Sequence, residues 1–209
     1  PSEAVSKIAK TAFTASEIDQ FQHIIANMYL PSDENKGIYL QQDGFLDKVI
    51  APVETIAAER PINQKWSWDR ILRSCYIKQA DVLQGMYFFE DDFSLEDLER
   101  NYNFYEPITV HESSLSPCVH SILAAKLGKE DKSYEFYTRA ARLDLDDYNN
   151  DTEDGCHITS MAGTWMSIIK GFGGMRLKGH SLHFNPFLPK QWTEFSFKIN
   201  FRANQLNIA

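Results

Sequence analysis

The stretch TVHESSLSPCVHS, from Thr109 to Ser121, concentrates polar side chains directly before an apolar helical pattern. Glu112, Ser113 and Ser114 stand in a row, and a Ser-Pro pair typical of a helix start follows them. A helix cap needs only Ser116, so capping leaves the other polar residues without a task. Hydroxyls and backbone N–H groups at a helix N-terminus can bind an anion. Two hypotheses therefore stay open, an anion site and a capped surface loop.

A second polar stretch, DGCHITSMAGTW, places His157 at another predicted helix start, with Ser160 and Gly163 in its first turns. A single histidine near a helix end is most often structural or solvated. The small residues allow a backbone or a ligand to approach closely. Two helix starts that each carry His and Ser in one helical region favour a shared anion pocket.

The segment YIKQADVLQGMYFF places Lys78 and Gln79 at the start of an apolar pattern. A buried lysine is rare unless it is paired. The pair could bind the hydroxyl groups of a sugar, with Trp66 or Trp68 as a stacking surface. The alternative is a solvent-facing end of a helix.

The sequence gives little reason to expect a metal or an organic cofactor. The acidic stretch DLDDYNNDTEDG lacks the EF-hand spacing, because position six counted from Asp147 is Thr152 rather than Gly. Cys118 lies near His111 and His120, but their spacing matches no standard zinc ligand pair. P-loop and dinucleotide-binding motifs are also missing from the 209 residues.

The elements that position these residues are mainly helical. Helical spacing and capping residues predict helices over residues 14–29, 71–89, 94–105, 116–127 and 158–169. A short link at residues 129–130 is predicted to lead into a further helix that contains residues 134–141. After Gly174 the pattern changes, because LKGHSLHF is typical of a hairpin and FSFKINF alternates as a half-buried strand. The prediction is a helical domain over residues 1–174 and the beginning of a β domain over residues 175–209. So small a sheet is marginal alone, so we expect the chain to be part of a longer polypeptide.

Composition and net charge argue against several classes of binding partner and indicate a cellular compartment. The net charge is −8 and no Lys/Arg-rich run occurs, which argues against nucleic acid and anionic membranes as partners. No apolar stretch approaches the ~18 residues of a membrane-spanning helix. Three widely spaced cysteines are more typical of reduced thiols than of disulfides, so we expect a cytoplasmic protein.

Several long strings of the sequence closely resemble the inverting disaccharide phosphorylases of glycoside hydrolase family 65. They are YIKQADVLQGMYFF, YEPITVHESSLSPCVHSILAAKLG, DLDDYNNDTEDGCHITSMAGTWMSIIKGFGGMR and HFNPFLPKQW. The resemblance extends from about residue 43 to the end. It implies the C-terminal part of an (α/α)6-barrel catalytic domain, followed by the start of a C-terminal β-sandwich, and a homodimer as the full-length protein.

The resemblance also implies roles for individual residues. Lys78 and Gln79 would contact the glucose ring in the donor subsite, and Glu112 would lie among the substrate-binding residues, since residues 106–116 would border the acceptor sugar. Inorganic phosphate, the co-substrate, would be held by the residues that follow the two helix starts: Ser113, Ser114, His157, Ser160 and Gly163.

The implied reaction is inverting phosphorolysis of an α-glucosidic disaccharide, with maltose as the expected substrate and β-glucose 1-phosphate and glucose as products. The family's general acid is a Glu in a GPNEYE-like segment that this sequence lacks. We therefore expect no catalytic acid in these residues and no turnover by this chain alone. Alternatives are a trehalose, kojibiose or nigerose phosphorylase, a hydrolase on the same scaffold, and a carbohydrate-binding fragment without catalysis.

Overall fold

The computed structural model describes residues 14–209, which divide after Pro31 into two units, residues 14–31 and residues 32–209. The described part of the first unit contains helix α1, Ala15–Asn27. The backbone N–H of Thr14 donates to Glu17 Oε2 at 2.6 Å, so the capping box predicted from the sequence is confirmed.

The second unit begins with short elements. The hairpin β1, Ser32–Asp33, and β2, Ile38–Tyr39, is followed by the one-turn helix α2, Ile62–Lys65, and by α3, Trp68–Arg73. A 3₁₀ turn covers Phe45–Asp47, and 3₁₀ turns on either side of a kink at Ile56 cover Val53–Glu59.

The prediction of one helix over residues 71–89 is wrong. Helix α3 ends at Arg73, an irregular segment follows, and α4 covers Asp81–Phe88. The backbone of Ile77 explains the break. Its N–H donates to Ile108 O at 3.0 Å and its C=O accepts from Val110 N–H at 2.9 Å, so it forms a parallel bridge with residue 109. Bonds to a distant segment replace the helical ones.

The next three helices agree with the predicted ones. Helix α5, Leu95–Tyr105, begins at a Ser94 cap and runs into a 3₁₀ turn, Glu106–Ile108. Helices α6, Ser116–Lys126, and α7, Glu130–Ala141, form an αα-hairpin. Gly128 closes α6 at φ 70°, a left-handed conformation that glycine adopts without steric cost.

Helix α8, Ile158–Met166, continues as a π-helical segment, Ser167–Phe172. Strands begin after Gly174, and they pair in two antiparallel hairpins: β3, Arg176–Lys178, with β4, Ser181–His183, and β5, Phe197–Phe201, with β6, Asn204–Ile208. The hairpin predicted in LKGHSLHF and the strand predicted in FSFKINF are both confirmed, although β5 begins two residues later than the alternating pattern does. The described fold is mainly helical with small antiparallel sheets at its C-terminal end.

Two apolar clusters support the polar stretch around residue 112. The larger cluster unites α4, α5 and α6 around fully buried side chains such as Leu83, Tyr105 and Ile122. The smaller one packs Val110 against Val53, Ile56 and Ile62, and so fixes α2 beneath the stretch. Among residues 14–209, helices of the length and apolarity required to cross a membrane are absent.

Candidate functional site

Residues 109–116, named here the HESS loop, connect the end of α5 to the start of α6. Their backbone is fixed from several sides. The Thr109 hydroxyl donates to Tyr105 O at 2.6 Å, and Arg139 Nη2 donates to His111 O at 3.1 Å. The Arg60 guanidinium donates to Val110 O. His111 itself adopts φ 54°, a left-handed conformation that is uncommon for a residue with a side chain.

Two buried histidines pack against each other, His111 of the HESS loop and His120 of α6. The rings of His111 and His120 meet edge to face with centroids 4.4 Å apart, and Phe136 contacts both. His111 Nδ1 lies 2.7 Å from Ser116 Oγ, and His120 Nδ1 lies 3.2 Å from Ser116 O. Burial lowers the pKa of His120 to about 4 and that of His111 well below its usual range, so both rings are neutral at pH 7.

Glu112 points away from solvent and caps helix α2. Its side chain is 3% exposed, and Arg60 Nε lies 3.6 Å from Oε1. The N–H of Ile62 lies 2.9 Å from both carboxylate oxygens, and the N–H of Asn63 lies 3.3 Å from Oε2. A carboxylate at a helix N-terminus is favoured by the unpaired N–H groups there. The assignment of Glu112 as a sugar ligand stays a prediction.

Gln79 and Ser113, which the sequence assigns to the sugar and to phosphate, are brought together. Ser113 Oγ donates to Gln79 Oε1 at 3.2 Å and accepts the N–H of Leu115 at 3.2 Å. Ser114 is half-buried. Lys78 is exposed, and no hydrogen bond or ion pair of its side chain is found within residues 14–209. Its ammonium group is therefore available to a ligand.

His157, just before α8, is held by two carboxylates. Its Nδ1 lies 2.6 Å from Asp144 Oδ1, its Nε2 lies 3.5 Å from Asp151 Oδ2, and its backbone N–H donates to Asp144 Oδ2 at 2.9 Å. The hydrogen bond to Asp144 raises the pKa of His157, and the charge of Asp151 adds to that effect. This half-exposed histidine favours the imidazolium form, opposite to the buried pair.

Ser160 and Gly163 lie on the buried side of α8. The Ser160 hydroxyl donates to Ala140 O at 2.9 Å, which ties α8 to the end of α7. A Cβ on Gly163 would stand 2.7 Å from Cys118 Cβ, so the glycine allows α8 to approach α6 closely. Both residues have packing roles here, and their assignment to phosphate stays a prediction.

The structure reveals contributors that the sequence did not single out. Arg60 and Arg139 fix the backbone of the HESS loop, and Gln64 donates to the carbonyls of Asn149 and Asn150 at 2.9 and 3.1 Å. Arg60 follows a 3₁₀ segment and Arg139 falls within a charged helix, so neither stands out by spacing. Asp144 lies in the acidic stretch that we considered only for calcium. A group of three or more His, Cys, Asp or Glu side chains arranged for a metal is not found among residues 14–209.

The described residues include an anion-compatible imidazole, serine hydroxyls at a helix start and the exposed Lys78 ammonium group. Groups of these kinds can bind an anion and a polyol, and they lie in a protein of the mainly helical class. Within the described residues, no hydrogen bond or ion pair joins Ser113 or Ser114 to His157 directly.

Comparison with known proteins agrees with this class. Residues 2–166 match the glycosyl hydrolase family 65 central catalytic domain, and residues 175–209 match the C-terminal domain of the same family. The chain therefore belongs to glycoside hydrolase family 65.

Relatives of known activity are phosphorylases. The chain is 56% identical over 193 residues to a maltose phosphorylase of Bacillus subtilis. The aligned region covers 92% of the chain and 26% of that protein. The chain is 42% identical to an α,α-trehalose phosphorylase of Thermoanaerobacter brockii, over 92% of the chain and 25% of the relative. A kojibiose phosphorylase of Halothermothrix orenii is 33% identical, over 96% of the chain and 26% of the relative.

A solved structure from the human microbiome, assigned as a kojibiose phosphorylase, superposes with a TM-score of 0.86 at 43% identity. It covers 96% of the chain, and the chain covers 28% of it. The chain thus spans about a quarter of the length of these relatives.

Proposed function

We propose that these residues form the phosphate side and part of the donor subsite of an inverting disaccharide phosphorylase. Phosphate would attack the anomeric carbon of an α-glucoside while a general acid protonates the glycosidic oxygen. The products would be β-glucose 1-phosphate and a free sugar. The single observation that carries the proposal is the 3.2 Å bond between Ser113 and Gln79, because an attacking phosphate must lie beside the donor sugar.

The residues available suit a reaction that needs no protein base. Phosphate is already an anionic nucleophile, so the protein must position it and offset its charge. His157 as an imidazolium, with Ser113 and Ser114, would supply positive charge and hydrogen-bond donors. Asp144 would orient the ring through Nδ1, which leaves Nε2–H to donate to phosphate in place of the longer contact with Asp151.

The proposal extends to the fold. We place residues 14–174 in an (α/α)6 barrel and residues 175–209 in a C-terminal β-sandwich, supported by the two family matches on either side of this boundary. The general acid would come from a barrel segment outside these residues. A homodimer, a cytoplasmic location and the absence of an organic cofactor stay predictions.

Maltose is the proposed substrate. The identity to the maltose phosphorylase, 56%, exceeds that to the trehalose and kojibiose enzymes, 42% and 33%. Lys78 and Gln79 would bind the donor glucose, which these disaccharides share, so the described contacts do not themselves select the acceptor. Initial rates on maltose, trehalose, kojibiose and nigerose would rank the substrates.

A hydrolase is the second candidate, favoured by the two carboxylates beside His157. Inverting hydrolysis requires a carboxylate that activates water. Glu112 is poorly suited to that task, because both its oxygens accept backbone N–H groups. Both oxygens of Asp144 contact His157, so Asp151, 3.5 Å from Nε2, is the better candidate of the two carboxylates.

One assay separates the two functions. The protein, expressed from its complete reading frame, is incubated with maltose with and without inorganic phosphate. We expect glucose release to require phosphate and the phosphorylated product to be the β-anomer by proton NMR. Glucose release at the same rate without phosphate would establish the hydrolase instead.

A further inference from the structure

We propose that Glu112 is a positioning residue that couples the HESS loop to the loop carrying the partners of His157. It would act through helix α2 and would not contact the sugar. This inference rests on the proposed function, because the ligand it helps to seat is phosphate. It assigns roles to Arg60 and Gln64 that the polar motifs do not suggest.

The first half of the connection is the carboxylate cap. Glu112 is the residue immediately before Ser113, and its oxygens accept the N–H groups of Ile62 and Asn63 at 2.9–3.3 Å. Ile62 is 3% exposed and packs on Val110, so α2 is fixed to the HESS loop by apolar as well as polar contacts. Movement of α2 would therefore move residue 112 and the serines after it.

The second half of the connection is made by Gln64, near the C-terminal end of α2, which contacts the segment before Asp151. The Gln64 side-chain amide donates to the carbonyls of Asn149 and Asn150, and its Oε1 lies 3.4 Å from Asn150 Nδ2. Asp151 follows directly, and its carboxylate lies 3.5 Å from His157 Nε2. Helix α2 thus contacts both the HESS loop, through Glu112, and the segment that leads into Asp151.

The Glu112 carboxylate is the ion-pair partner of Arg60 in this arrangement. Arg60 lies between the carboxylate, 3.6 Å from Nε, and the Val110 carbonyl, to which it donates. Arg139 donates to His111 O. Its guanidinium group also lies over the ring of Tyr148, 5.2 Å from the ring centroid, and Tyr148 belongs to the loop from Asp144 to His157. Neutralising Glu112 would leave Arg60 without its counter-charge and α2 without its anionic cap.

The test separates a phosphate effect from a sugar effect. Glu112→Gln and Gln64→Met are compared with the unmodified protein, each expressed from the complete reading frame. Initial rates are measured with phosphate varied at saturating maltose and with maltose varied at saturating phosphate. We expect KM for phosphate to rise about tenfold in Glu112→Gln and about threefold in Gln64→Met, while KM for maltose stays within about twofold.

The double variant tests the shared route. If both residues act through α2, adding Gln64→Met to Glu112→Gln should change KM for phosphate little further. The matched control is Glu90→Gln, which removes a half-buried carboxylate that is also ion-paired, with Lys126 at 3.1 Å and with Arg176. It should lower Tm without changing KM for phosphate.

Three results would overturn the inference. A rise in KM for maltose alone would make Glu112 a sugar ligand, as the sequence predicts. A change in Tm or kcat with both KM values unchanged, as in the Glu90→Gln control, would make its role structural. If Glu112→Gln fails to fold, an unchanged KM for phosphate in Gln64→Met would likewise overturn the inference. Phosphate-independent cleavage by the unmodified protein would instead remove the proposed function itself.

Discussion

The HESS loop and the loop from Asp144 to His157 hold their histidines in opposite ways. In the first loop, His111 is buried together with His120 of α6, both pack on the Phe136 ring, and their pKa values are lowered. In the second loop, His157 is half-exposed between two carboxylates and its pKa is raised. Residues of one type therefore serve as packing in one loop and as a source of positive charge in the other.

The difference has opposite consequences for pH. The buried pair contributes stability that is fully present above the unfolded-state pKa of ~6.5 and is lost as the pH falls toward the folded value, about 4 for His120. His157 contributes stability that is present below ~6.5 and is lost as the pH rises through its raised value. A change of pH should therefore act through the first loop mainly on the free energy of unfolding, and through the second loop mainly on the affinity for the ligand.

Phe136→Ala should cause the largest loss, and it should be a loss of stability. Phe136 is 3% exposed and its ring lies 4.6 and 5.2 Å from the rings of His111 and His120. Removing a buried Phe side chain costs about 3–5 kcal/mol because a cavity remains. Thermal unfolding followed by circular dichroism should show a clearly lower Tm. The control Phe88→Ala removes a ring that is 65% exposed, and an equal loss there would contradict the assignment.

His157→Asn should produce the converse result, with activity lost and stability retained. Loss of the whole imidazole ring, with its charge and its hydrogen-bonding nitrogens, should lower kcat/KM for phosphate by about 100-fold, or about 2.7 kcal/mol. Tm should change little because the side chain is only partly buried. Steady-state kinetics at varied phosphate measure the effect, with His183→Asn on β4 as an exposed control. Unchanged phosphate kinetics would exclude His157 from the site.

Sequence periodicity was most informative where bonds are local. The Ser94 cap, the α6–α7 hairpin and the turn at Gly179 depend on residues a few positions apart, and all three are found in the structure. The segment around Ile77 was predicted wrongly because its backbone pairs with residues 108–110, about 30 positions later. Periodicity carries no information about such a partner.

The candidate site shows the same limit. The polar motifs identified the HESS loop and His157, but they gave no signal for the cap that Glu112 provides to α2. Nor did they indicate that Asp144 would bind His157 from 13 positions away. The acidic stretch was conspicuous, yet its role depended on which side chain it would face in the fold.

Gly163→Ala tests how closely α8, which follows the second loop, packs on α6, which follows the HESS loop. The new Cβ would lie 2.7 Å from Cys118 Cβ and 2.8 Å from its Sγ, so α8 would be pushed from α6. We expect a destabilisation of about 1–3 kcal/mol, as for other overpacked sites. The matched control is Gly85→Ala in α4, where nothing lies within 4 Å and alanine should be neutral or stabilising. Equal Tm values for the two variants would contradict close packing at Gly163.

The smallest expected effect is a pH dependence that belongs to the second loop alone. KM for phosphate should rise about fivefold as the pH increases through the raised pKa of His157, because the imidazolium is lost. Asp144→Asn should move this rise to lower pH, since the hydrogen bond to Asp144 is the main cause of the shift. Titration of phosphate itself is common to all variants, so the comparison between variants isolates the protein group. A rise at the same pH in Asp144→Asn, or its persistence in His157→Asn, would assign the dependence to another group.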